Sequence, residues 1–181
     1  MRTILKTPWP LLLLGLVGLL GGCSSGHQAP VIDMGTQVTR PAEQWPFPAQ
    51  PRYALAEQYQ YSGASAEGWL APLQQAVALY LDGKGWRSAP LDEADIWVAI
   101  GVAGAQDISD EALFARLGMN PGVQARAGAR KGTLAIIMLD RQRQQSAWSS
   151  VIQLTTDQAI AESQRAAFSQ ELVGKMLRTL P

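Results

Sequence analysis

Hydrophobic positions along the chain change period several times, and each change marks an element. Tyr53, Leu55, Tyr59 and Tyr61 recur at even spacing in RYALAEQYQY and predict a first strand. Glu57 interrupts it at the centre, so the strand is broken or lies at an edge. Trp69, Leu73, Val77 and Tyr80, widened by Leu70 and Leu81, then follow the three- and four-residue spacing of a helix face. Ser65 is the candidate cap of that helix, Pro72 falls in the first turn where proline is tolerated, and Gly83 and Gly85 stop it. ADIWVAIGVAG (94–104) is continuously apolar and bounded by glycine, as a central strand would be. Residues 104–131 form an insert. Ser109 caps a brief helix there through DEALFARLG, with Leu113, Phe114 and Leu117 inward, and NPGVQARAGARKG reads as a mobile loop. GTLAIIMLD (132–140) and SAWSSVIQLTT (146–156) make a hairpin across RQRQQ. Thr156 or Asp157 opens a last helix to about Leu180, striped by Ala161, Phe168, Leu172 and Met176, with Val173, Leu177 and Leu180 beside them.

This order predicts an α+β or α/β fold: one small mixed or antiparallel β-sheet with two main helices packed on one face, plus a short extra helix in the insert. The single domain spans 52–181. Before it, 23–51 reads as a tether, because Pro30, Pro41, Pro46, Pro48 and Pro51 lock φ and remove backbone donors. Trp45 and Phe47 are unusual in a linker. They tuck onto the side of the domain or touch lipid headgroups or a partner.

The N-terminus has a different pattern. Arg2 and Lys6 precede the apolar run Leu11–Leu20, which is about half the ~20 residues a spanning helix needs and fits the core of a secretory signal. Leu20-Gly21-Gly22-Cys23 follows, with the chain's single cysteine. An ordinary signal peptide with an incidental cysteine, or a short uncleaved anchor, would also fit. The pattern resembles the lipobox of bacterial lipoproteins. That resemblance implies removal of residues 1–22, a diacylglycerol on the Cys23 thiol and an N-acyl chain such as palmitate on its new amine. Two or more chains make a lasting anchor where one is marginal. Ser24 and Ser25 in place of aspartate imply the outer membrane, with the domain facing the periplasm.

Composition removes several classes. Cleavage leaves about 160 residues, enough for one domain with its own core. The full chain is formally neutral, and loss of Arg2 and Lys6 makes it slightly acidic. That speaks against nucleic acid as a partner. One histidine and one cysteine leave no ligand set for zinc or an iron–sulfur cluster. His27, beside the anchor, is poorly placed to be the base of a Ser-His-Asp set. No cofactor is expected beyond the covalent lipid.

Several motifs occur in a familiar order: Leu-Asp-Gly-Lys-Gly-Trp (81–86), Ala-Asp-Ile-Trp-Val (94–98), Gly-Thr-Leu-Ala-Ile-Ile-Met-Leu-Asp (132–140) and Ala-Trp (147–148). With the lipobox in front, the chain resembles the periplasmic lipoproteins of the domain of unknown function 4136 family, over residues 53–181. RQRQQ stands where that family often has a glycine-containing turn, and the 104–131 insert is a larger departure. The resemblance implies an envelope lipoprotein and no particular activity.

The residues give the same motifs structural roles. Gly83 and Gly85 end a helix, Asp95 turns the chain before its strand, and Asp140 bonds its own backbone at a hairpin turn. Asp92, Glu93 and Asp95, or Asp107, Asp110 and Glu111, are the carboxylates a hydrolase would use. The expectation is a non-catalytic binding or scaffolding module, held to the membrane by lipid and partnered by an envelope protein or by itself. The alternatives are a subunit of an oligomeric envelope export or secretion apparatus, and a carboxylate-dependent hydrolase. Candidate binding residues are the basic loop (Arg126, Arg130, Lys131) and the hairpin tip (Arg141, Arg143), which otherwise carry solvated charge, and Trp86 and Trp148, whose amphipathic rings suit either an interface or packing in the core or at its rim.

Overall fold

The computed structural model describes residues 32–40, 45–104, 130–156 and 159–181. In chain order these form β1 (Ile32–Arg40), β2 (Arg52–Leu55), β3 (Tyr61–Ser62), α1 (Leu70–Gly83), β4 (Arg87–Ser88), β5 (Ile96–Gly104), β6 (Arg130–Asp140), β7 (Gln145–Thr156) and α2 (Glu162–Leu177). The strands make one sheet in the order β1-β7-β6-β5-β2-β4, with β3 also paired to β5. From β1 to β5 the neighbours are antiparallel; β2 and β3 run parallel to β5, and β4 parallel to β2. The sheet is therefore mixed, and the fold is α+β.

Side chains alternate across each strand. Ile96, Val98, Ile100 and Val102 of β5, Leu134, Ile136 and Met138 of β6, and Trp148 and Ile152 of β7 join one core with both helices. Leu73, Val77 and Leu81 face it from α1, and Leu172, Val173, Met176 and Leu177 from α2. Each large side chain so buried contributes roughly 1.5–3 kcal/mol. The helices are tied together at their C-terminal ends. The Tyr80 hydroxyl donates to the Leu177 carbonyl at 3.0 Å, and Lys84 Nζ to the Leu180 carbonyl at 2.7 Å.

The first strand is broken where Glu57 predicts a break. A 3₁₀ turn at Glu57–Tyr59 separates β2 from β3. Gln60 repairs the gap in the ladder. Its Nε2 donates to the carbonyls of Ala56 (3.0 Å) and Val98 (2.9 Å), while its Oε1 accepts the Ile100 N–H (3.1 Å). A side-chain amide thus stands in for a missing strand residue. Gln60→Leu leaves the buried Ile100 N–H without an acceptor, which costs about 1–2 kcal/mol. Urea unfolding checks this: an unchanged midpoint would show that the amide is dispensable.

α1 ends at the expected glycines. Gly85 adopts φ +82° and its N–H bonds the Asp82 carbonyl at 2.9 Å, while the Trp86 N–H bonds the Leu81 carbonyl at 3.0 Å. This is the Schellman pattern, with Trp86 packed against the helix it closes. Tyr53 fastens β2 to α1 through a 2.9 Å bond from its hydroxyl to Asp82 Oδ1. Burial, then the bond to Asp82 and its charge, push the phenol pKa above its ordinary value.

Four expectations change. Residues 32–40 are not tether but an edge strand, antiparallel to β7. Pro30 and Pro41 lie outside it, so no proline interrupts its ladder. Ser65 does not cap α1. It sits in a 3₁₀ turn, Ala64–Ala66, and the helix starts later, from Trp69, without a side-chain cap. Arg130 and Lys131 are not loop residues but the first of β6, paired with Thr156 and Thr155. The same pairing extends β7 through Thr156, so the last helix begins at Glu162 and not at Thr156 or Asp157. The short helix expected at 110–118 lies outside the described residues.

Candidate functional site

The hairpin tip is built by Asp140. Its Oδ1 accepts the N–H groups of Gln142 (2.8 Å) and Arg143 (3.0 Å), and its Oδ2 accepts Arg143 Nη1 (2.7 Å). Burial opposes the charge of Asp140, but these donors, Arg143 foremost, outweigh it and hold the carboxyl below its ordinary value. Asp95 is committed in the same way. Its Oδ2 accepts the Arg52 N–H at 2.8 Å, and Arg52 pairs with both Asp95 and Glu93 at the surface. Both carboxylates hold backbone at strand ends, as their turn positions predict.

The basic residues do not form one patch. Lys131 lies at one end of β6 and Arg141 just past the other, about 30 Å apart at strand rise. Arg143 is engaged with Asp140. Arg126 and Cys23 lie outside the described residues, and Arg130 is the first residue of β6.

Trp86 and Trp148 take the core reading of the two and are not surface contacts. They are 3% and 0% exposed. Trp148 owes its position to a bulge: Met138 pairs with Trp148 and Leu139 with Ser146, which leaves Ala147 as the extra residue. Trp86 is covered by Trp45, whose ring lies 5.9 Å from it, and Phe47 meets Trp45 edge-on at 5.0 Å. Trp45 and Phe47 thus pack onto the domain.

Sequence reasoning missed a cavity of about 280 Å³ between the helices and the sheet, at the end where β5 stops and β6 starts. Leu73, Leu134 and Leu172 line it from the core, with Trp69 and Phe168 in edge-to-face contact at 5.9 Å. Ser65, Lys131, Thr133, Thr156 and Arg165 supply its polar groups, and no Asp or Glu is among the described residues that line it. Arg165 makes two contacts with the segment before α1. Its guanidinium carbon lies 5.4 Å from the centre of the Trp69 ring, and Nη1 donates to the Glu67 carbonyl at 3.5 Å. Gly68, at φ +78°, makes the room, because a Cβ there would run into Arg165 Nη1. Trp69 and Phe168 were legible as helix-stripe residues. Arg165 carried no signal, since its partners lie on a segment far away in sequence.

No protein-family model matches the sequence, and no curated protein matches it. Among solved structures the chain is similar to part of a PDZ domain protein from Parabacteroides distasonis, at 10% identity and a TM-score of 0.56. That likeness covers 84% of this chain and 36% of the other, so the chain spans about a third of that protein. It is also similar to the subunit of a PelC dodecamer from Paraburkholderia phytofirmans, at 14% identity over 79% of this chain and 96% of that one, with a TM-score of 0.48. A third is XCC0632 from Xanthomonas campestris, described by a DUF330 family model, at 17% identity, 77% and 90% coverage, and a TM-score of 0.38. At these identities a likeness speaks to fold alone. The Parabacteroides protein shows that this α+β arrangement also occurs within a longer chain.

Proposed function

We propose that this chain is a lipid-anchored, non-catalytic binding module of the cell envelope. Cys23 carries a diacylglycerol and an N-acyl chain in the outer membrane, and the α+β domain faces the periplasm. The observation that carries the reading is the N-terminal sequence: two basic residues, a short apolar run, and Leu20-Gly21-Gly22-Cys23. The folded body supports binding over catalysis. Asp95 and Asp140, at neighbouring strand ends, are bonded to backbone and arginine. The described lining of the cavity brings cations and apolar surface, with no acid to serve as a general base.

Crosslinking in intact cells, with adducts identified by mass spectrometry, tests this. One dominant envelope protein, or a second copy of the chain, is the expected adduct. Adducts confined to cytosolic proteins would overturn the envelope reading.

A further inference from the structure

We infer that the domain docks end-on against the bilayer surface, with the partly exposed rings of Trp69 and Phe168 and the Arg165 guanidinium at the level of zwitterionic lipid headgroups, and the hairpin tip turned away. The inference rests on the lipid anchor proposed above and names the surface that the anchor brings to the membrane.

The length of the anchor segment carries the argument. Because 32–40 is strand and not tether, only the eight residues 24–31 separate Cys23 from the sheet. From Cys23 to Ile32 a chain of that length spans at most about 30 Å. Ile32 pairs with Thr156, and Thr156 with Arg130, so the chain enters the sheet at the end where β6 starts. Thr156 also lines the cavity with Trp69, Arg165 and Phe168, so both helices begin at this end. The hairpin tip lies at the other end of β6, about 33 Å away at strand rise. A domain standing on its tip would hold Ile32 farther out than the anchor segment reaches. Two arrangements remain: end-on with the Ile32 end down, and flat.

Surface chemistry chooses the first. Trp69 and Phe168 meet edge-to-face at 5.9 Å and are only partly buried, and Arg165 lies over the Trp69 ring at 5.4 Å. An indole beside a cationic side chain suits the headgroup level of a bilayer. Glu67 and Glu162 are exposed at the same end, so the contact is one of rings at neutral headgroups and not of a net positive field. A flat domain would instead present the pair Tyr59 and Trp97, near the hairpin tip. Their polar atoms are already bonded within the protein: the Tyr59 hydroxyl donates to Gln144 Oε1 at 3.4 Å, and Trp97 Nε1 to the Leu91 carbonyl at 2.9 Å. So small a contact is weak alone, but a short tether gives it an effective concentration in roughly the millimolar range.

The test uses the full-length lipidated protein in vesicles of phosphatidylcholine and phosphatidylethanolamine. Ser163→Cys and Gln142→Cys, both at exposed positions, place a maleimide dye at the start of α2 and at the hairpin tip. A nitroxide on some of the phosphatidylcholine headgroups quenches any dye close to the surface. The dye at 163 should be quenched at least fivefold more than the dye at 142. Equal quenching, as a flat domain gives, or stronger quenching at 142 overturns the docking. Twenty Gly and Ser residues inserted after Ser25 should at least halve the quenching at 163. Unchanged quenching would remove the short anchor as its cause and overturn the inference. The unaltered protein, treated with the same dye, separates this failure from that of the anchor. Where it floats with the vesicles and takes no dye, the Cys23 thiol is blocked and the anchor stands, so equal quenching then counts against the docking alone. Dye on Cys23, or a chain that does not float, overturns anchor and docking together.

Discussion

Trp148→Ala lowers the free energy of unfolding by about 3–5 kcal/mol, the cost of emptying a large, fully buried side chain. Met138 and Ile152 share its core, so the void is bordered by both strands of the hairpin. Trp148→Phe costs much less, about 1–2 kcal/mol, because it keeps most of the apolar volume and removes an indole N–H that has no hydrogen-bond partner among the described residues. Guanidinium unfolding of the two variants checks both values. A Trp148→Ala variant as stable as the parent, yet defective in crosslinking to its partner, would return Trp148 to the surface role that its sequence position suggests.

Asp140→Ala is the second large loss, about 2–3 kcal/mol at neutral pH. The substitution strips the acceptor from two backbone N–H groups and from the Arg143 guanidinium at once. Its pH dependence has a definite sign. The folded-state pKa lies below the unfolded value of about 3.9, so the stabilisation is fully present above about pH 4. It is lost as pH falls through the lower folded value. The gap between parent and variant should therefore be constant from pH 5 to pH 7 and close under acid. A gap that widened as pH fell would show that the ionised form of Asp140 is not the one that holds the turn.

What was legible in the sequence was local. The α1 stripe, its glycine stop, the β6–β7 hairpin and the Asp140 turn each depend on residues close in the chain, and each stands where the pattern puts it. Where a long-range partner decided the outcome, the pattern fell short. β1 reads as tether because Pro30 and Pro41 bracket it, and its ladder partner is the distant β7. Thr156 reads as a helix cap, but pairing with both Ile32 and Arg130 keeps it in the sheet. Trp86 and Trp148 stand at element ends, where a ring can turn inward or outward. The Schellman turn sends Trp86 in, and the bulge at Ala147 brings Trp148 opposite Met138. The cavity was invisible for the same reason: Gly68, Trp69 and Arg165 meet only when α2 packs on α1.

The most direct measurement on the account is the intact mass of the protein from fractionated membranes, with its N-terminal peptide sequenced. The expected result is a chain in the outer-membrane fraction that begins at Cys23 and carries a diacylglyceryl group and an additional acyl chain. In a Cys23→Ala variant that lipid mass is absent. A chain that keeps Met1, or begins at a residue other than Cys23 with an unmodified thiol, would contradict it.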